Sequence, residues 1–227
     1  MSGFRTLAFD LDDTLLDTSS LLVPLAARRS CEAMLAAGLR CSLEECMKMR
    51  EELAPSFSHT EIFTKIVDRY GTNTKGRAIH DALDRFYNPE VPPTLPLLEG
   101  ALENLETLSK MYTMYLVTAG SQEAQVKKVQ ALGIQKYFKG VYILNGFIGE
   151  KKETAFREIL KIENHNPEAL LSIGNRLSSE IRDGKRCGAR TCYFAFGEHV
   201  GEKEEYPEDH PDFTITQHKD LIAACGL

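Results

Sequence analysis

Six short, unbroken apolar runs punctuate this chain, and helical patterns separate most of them. The runs are Thr6-Leu-Ala-Phe-Asp10, Met114–Thr118, Val141–Leu144, Leu170–Gly174, Thr191–Ala195 and Phe213–Thr216. Such a run, with no polar alternation, reads as a strand buried on both faces. Between them, Glu99–Met111 sets Leu102, Leu105 and Leu108 on one face, and Ser121–Leu132 stops at Gly133. Thr154–Ile162 spaces Phe156, Ile159 and Leu160 helically, and Ser178–Cys187 stops at Gly188. Strands alternating with helices predict a parallel, doubly wound α/β sheet.

One stretch breaks the alternation. From about Ser19 to Pro89 every signal is helical. Ser42-Leu-Glu-Glu45 and Ser58-His-Thr-Glu61 match capping boxes, and Ile62, Phe63, Ile66, Val67 and Tyr70 form a stripe that ends at Gly71. Leu21–Gly38 and Lys75–Tyr87 read as two more helices, and Asn88-Pro-Glu-Val-Pro-Pro93 reads as a linker. A small helical bundle is therefore expected inside the sheet domain: 1–18 and 90–227 as core, 19–89 as insert.

Composition excludes several classes. With 43% hydrophobic and 26% charged residues the chain is neither disordered nor fibrous. No run is long and apolar enough for a membrane span. The segment from Met1 to Arg5 leads straight into the first strand, so no secretory signal is expected and the chain is expected in the cytoplasm. The net charge of −6 argues against a nucleic-acid partner. The six cysteines form no C-x-x-C pair, so reduced, mostly buried thiols are expected rather than a zinc site.

Four places can carry chemistry. In Asp10-Leu-Asp12-Asp-Thr14, two acids leave the end of the first strand, where doubly wound sheets bind ligands. One carboxylate can act as nucleophile or metal ligand while its neighbour moves a proton. Their repulsion calls for a cation, and Mg²⁺ suits oxygen donors. In Thr118-Ala119-Gly120-Ser121, a hydroxyl precedes backbone N–H groups at a helix start, a cradle for phosphate. Lys151-Lys152 opens a later helix, against the macrodipole preference for anions, and suits a bound phosphate. In Gly174-Asn175 and Glu180, oxygen donors follow the fourth run and would face the same crevice.

Together these four, in this order, resemble the motifs of the haloacid dehalogenase superfamily, and the likeness runs from Phe4 to about Leu221. The resemblance implies a Rossmann-like core with a helical insert similar to the C1 cap of that superfamily. It implies a Mg²⁺-dependent phosphatase acting on a small phosphorylated metabolite, as monomer or homodimer. Asp10 would attack phosphorus and form a phospho-aspartate, and Asp12 would serve as acid and base. Thr118, Ala119 N–H and Lys151 or Lys152 would hold the phosphoryl oxygens, with Lys151 slightly preferred. Asp10, the Asp12 carbonyl, Asn175 and Glu180 would hold the metal. The fourth motif departs from the usual pair of aspartates, since Asn175 and Glu180 stand there. A binding or regulatory module with weakened catalysis is thus an alternative, as are a phosphomutase and a 2-haloacid dehalogenase. Asp12 argues against the dehalogenase, which does not need a second acid. Arg28, Arg29 and His59 are candidate substrate contacts from the insert.

Overall fold

The computed structural model describes residues 3–145 and 148–227, so the Met1-Ser2 end of the expected leaderless start lies outside the described residues. The chain divides into two compact units, Met1–Asp17 with Pro92–Leu227, and Thr18–Val91.

The first unit is built on a six-stranded parallel sheet: β1 Thr6–Phe9, β2 Thr113–Gly120, β3 Gly140–Asn145, β4 Leu170–Gly174, β5 Arg190–Phe194 and β6 Phe213–Ile215. The order is β3-β2-β1-β4-β5-β6. The chain steps outward from β1 to β3, then restarts on the other side at β4. Phe9 is in register with both Leu116 of β2 and Ile173 of β4, so three strands end side by side at the point where the order reverses. That reversal is where open α/β sheets bind ligands.

Strand alternation explains the double winding. Leu7 and Phe9 point into one apolar layer, with Met114, Leu116, Leu171 and Ile173. This layer packs on Leu105 and Leu108 of α6 (Ala101–Leu108), Val129 of α7 (Gln122–Leu132) and Leu221 of α10 (Leu221–Cys225). Ala8, Tyr115 and Val117 point the other way, onto Phe156 and Ile159 of α8 (Lys152–Glu163). Each fully buried Leu, Ile or Phe contributes roughly 1.5–3 kcal/mol.

One expected element differs. Ser178–Cys187 is not a continuous α-helix: a π-turn over Leu177–Ile181 precedes the short α9, Arg182–Arg186. The wider turn carries the Glu180 side chain back over Gly174, where an added Cβ would lie 2.1 Å from Glu180 Cγ. Ser172 Oγ secures it by donating to the Glu180 carbonyl at 3.1 Å. Tertiary demand outweighs the α-helical preference there, as is frequent for π-turns at functional sites.

The second unit is all helical: α1 Thr18–Leu21, α2 Val23–Ala36, α3 Leu43–Leu53, α4 His59–Tyr70 and α5 Lys75–Tyr87. Both capping boxes form. Glu45 and Glu61 accept from the Ser42 and Ser58 backbone N–H groups at 2.8 and 2.9 Å, while the serines accept in return. Met34, Phe63, Ile66, Ala78 and Ala82 make the core. Small residues let α2 and α5 approach closely enough for Ser30 Oγ to donate to the Ala82 carbonyl at 2.9 Å. Among the described residues, no helix is long and apolar enough to cross a membrane.

Candidate active site

Asp10 follows the last residue of β1, and its backbone N–H donates to the Ile173 carbonyl, which holds it against the end of β4. The loop then tightens. Asp13 adopts a left-handed φ of 53°, and its N–H donates to the Leu16 carbonyl at 2.7 Å. His218 braces this loop from the far end of the chain. Its Nε2 donates to the Thr14 carbonyl at 2.6 Å, and its Nδ1 lies 3.3 Å from Asn104 Nδ2. Those two contacts assign the neutral tautomer with the proton on Nε2.

Lys152 opens α8 and turns its ammonium inward. It pairs with Asp10 and with Glu180 Oε1, the latter at 2.5 Å. All three side chains are almost fully buried. Two carboxylates share one ammonium, so a surplus negative charge remains, and the titration behaviour reflects it. Burial pushes the Asp10 carboxyl up to about 7 against the pull of Lys152, and Glu180 and Asp12 add to the rise. Burial alone would lower the Lys152 ammonium, but Asp10 and Glu180 hold it above its ordinary value. Glu180 is the group Lys152 satisfies most: burial opposes, yet its carboxyl lies below the usual range.

Lys151 is exposed and makes no capping bond, so the preference for Lys151 is corrected. Sequence offsets did not decide between the two lysines; α8 begins at Lys152, two residues before the Thr154 start read from sequence. Position N1, not the N-cap, points into the sheet. The helix start is also held by Asp183, whose Oδ2 accepts the Glu153 N–H at 3.3 Å.

The remaining sequence candidates divide. Thr118 is buried at the end of β2 and lies in the same network as Asp12, through Gln125. Ala119 is exposed beside it. Asn175 is buried and donates from Nδ2 to the Phe196 carbonyl at 3.3 Å, which fixes its amide plane. Glu180 has both oxygens engaged, Oε1 by Lys152 and Oε2 by the Arg176 N–H at 2.9 Å. In the helical unit Arg28 pairs with Glu32 and Arg29 with Glu90, both at 2.9 Å, and His59 stacks on Phe86. Gln125 and Lys128 of α7 were not singled out from sequence. On a helical wheel they read as ordinary surface polarity, and only their burial betrays them.

Among the described residues, no group of three or more Asp, Glu, His or Cys side chains is arranged to hold a metal. The donors at the ends of β1 and β4 are nonetheless hard oxygens: the Asp10 carboxylate and the Asp12 carbonyl after β1, and the Asn175 amide after β4. That set fits Mg²⁺, which takes one or two carboxylates and draws its other ligands from water and phosphate.

A strand-end carboxylate thus stands at the reversal point of the parallel sheet, paired with a buried lysine. The chain belongs to the haloacid dehalogenase-like hydrolases, which it matches over residues 7–194. It is 28% identical to a glyceraldehyde 3-phosphate phosphatase of Pyrococcus furiosus, over 98% of this chain and 93% of that one. It is 27% identical to a phosphoglycolate phosphatase of Aquifex aeolicus, over 96% and 95%. Among solved structures it resembles the putative hydrolase YfnB of Bacillus subtilis bound to magnesium, with a TM-score of 0.66, 20% identity and 97% coverage of each chain. The family makes it a hydrolase.

Proposed function

We propose that this chain hydrolyses a small phosphomonoester with Mg²⁺ as cofactor and Asp10 as nucleophile. The observation that carries the reading is Lys152, buried against Asp10 and Glu180 at the end of β1. The surplus negative charge of this trio calls for a divalent cation, which would in turn admit a substrate phosphate.

An Asp10 carboxylate oxygen attacks phosphorus, the ester P–O bond breaks, and Asp12 gives the departing alkoxide a proton. Asp12 then takes a proton from the water that attacks the phospho-aspartate. The bond to Asp10 breaks and inorganic phosphate leaves, so both side chains return to their starting state. Lys152, Thr118 and the Ala119 N–H hold the other phosphoryl oxygens, which is the positioning and charge neutralisation that phosphoryl transfer requires. Mg²⁺, when bound by Asp10, the Asp12 carbonyl and Asn175, supplies further neutralisation of phosphoryl charge. Glu180 holds Lys152 in place and adds its charge from behind. The helical unit is assigned as a C1-type cap inserted in the hydrolase core.

The names of the relatives suggest the assay. Phosphate release is measured on glyceraldehyde 3-phosphate, 2-phosphoglycolate and a panel of other phosphomonoesters, with Mg²⁺ and with chelator. Turnover requires Mg²⁺ and falls on the order of 10⁴-fold or more in Asp10→Asn. Activity that survives in Asp10→Asn removes the nucleophile assignment. A wild type that turns over no ester favours a binding module.

A further inference from the structure

Helix α7 follows the Thr118 strand end, and its inward face is unusual. Gln125 and Lys128, three residues apart and so on one side of the helix, are 1% and 6% exposed. A buried ammonium is costly unless paired. Lys128 Nζ lies 2.7 Å from Asp12 Oδ1, and Gln125 Nε2 lies 2.9 Å from Asp12 Oδ2. Each carboxylate oxygen thus receives its own donor from the same helix face. Gln125 Nε2 is also 2.6 Å from Thr118 Oγ1 and 3.2 Å from the Ala119 carbonyl. Gly120 admits this approach: a Cβ there would lie 3.2 Å from Gln125 Cδ.

The Asp12 side chain is 30% exposed and follows a loop, so left alone it would sample several rotamers. Two donors at a fixed spacing on a rigid helix remove that freedom. We propose that Lys128 and Gln125 are positioning residues that aim the Asp12 carboxyl group at the leaving oxygen. This inference rests on the phosphatase reading. It adds that the second motif is wired to the first through α7, so that Thr118 and Asp12 are set by one amide.

An acid that must be aimed matters most where the leaving group needs a proton. An alkoxide leaves poorly without one, whereas a 2,4-dinitrophenolate leaves readily. Lys128→Met keeps the side-chain volume but leaves Asp12 without its cation, so its folding is checked by thermal melt and Gln125→Leu, which leaves that ion pair in place, is read beside it. With Mg²⁺ present, Lys128→Met is expected to lower the single-turnover rate of alcohol release from an alkyl phosphate about 10²-fold, the ordinary worth of a placed acid. On 2,4-dinitrophenyl phosphate it should change the single-turnover rate of dinitrophenolate release by less than about threefold, because the phospho-aspartate hydrolysis that also uses Asp12 comes after that step. Gln125→Leu should show the same selectivity, and Lys128→Arg should restore most of the alkyl activity. Equal losses on both esters, no loss on either, or a gain overturns the proposal. Crystal structures of wild type and Lys128→Met read the grip without turnover. Asp12 should leave its wild-type orientation in the variant, and an unmoved Asp12 overturns the proposal. A wild type that hydrolyses neither ester defeats the phosphatase reading, while the two structures still decide the grip.

Discussion

The pairs that cap helices in the helical unit and the pairs that build the site in the sheet unit span different distances along the chain. In the helical unit, Ser42 pairs with Glu45 and Ser58 with Glu61, three residues apart, and Arg28 pairs with Glu32, four apart. In the sheet unit, Lys152 reaches Asp10 across 142 residues, Lys128 reaches Asp12 across 116, and His218 reaches Thr14 across 204. Local pairing holds a helix together. Long-range pairing assembles a site, and it does so with residues that their own elements would not choose. A lysine at the first position of a helix is one such residue, and a glutamate folded back by a π-turn is another.

If that contrast is correct, substitutions in the two units should separate activity from stability. Lys152→Met should reduce phosphatase kcat/KM by about 10³-fold, the upper range for one preorganised electrostatic donor. Lys151→Met should stay within about twofold of wild type, since that side chain is exposed. Similar losses for both lysines in phosphate-release assays would break the contrast at its strongest point. Phe63→Ala, in the core of the helical unit, should cost about 3 kcal/mol of stability by urea unfolding.

His218 sharpens the contrast from within the sheet unit, because it supports the site without touching it. Burial holds its imidazole below the ordinary value, although the Thr14 carbonyl pulls the other way. As pH falls through about 6.5, the unfolded chain takes up the proton first. The stability present above that pH is then lost below it. Thermal melts between about pH 7.5 and 5.5 should show a larger fall for wild type than for His218→Gln. Parallel curves would mean that His218 does not titrate as its burial implies. The smallest effect is the capping box: Ser58→Ala should lower stability by about 1 kcal/mol and leave kcat unchanged.

The same division decides what could be read from sequence. The capping boxes and the stop at Gly71 are local, and the structure has them where the residues predict. The six strands were legible because each is short, apolar and bounded. Asp10, Asp12 and Thr118 stood out because strand ends in such a sheet converge. Lys152 over Lys151 was not legible, since one residue of helix phase decides it and the phase is set by packing of Phe156 and Ile159 on the sheet. The π-turn at Leu177–Ile181 was hidden for a related reason: the contacts that Glu180 makes there, with Lys152 and Ser172, lie outside the turn itself. Gln125 and Lys128 were invisible because a buried polar residue cannot be told from an exposed one without its partner.

The strand order also sets a timetable. β1 is the third strand in the sheet order but the first to leave the ribosome, and its two neighbours begin at Thr113 and Leu170. Residues 18–91, whose pairings lie within that segment, are complete before either neighbour has been made. At roughly 5–20 residues per second, β1 waits several seconds or more for its first partner. During that interval it is a bare apolar segment, and the helical unit is the part of the nascent chain able to fold. A substitution that slows the helical unit would therefore be felt first as aggregation during synthesis, and only later as lost activity.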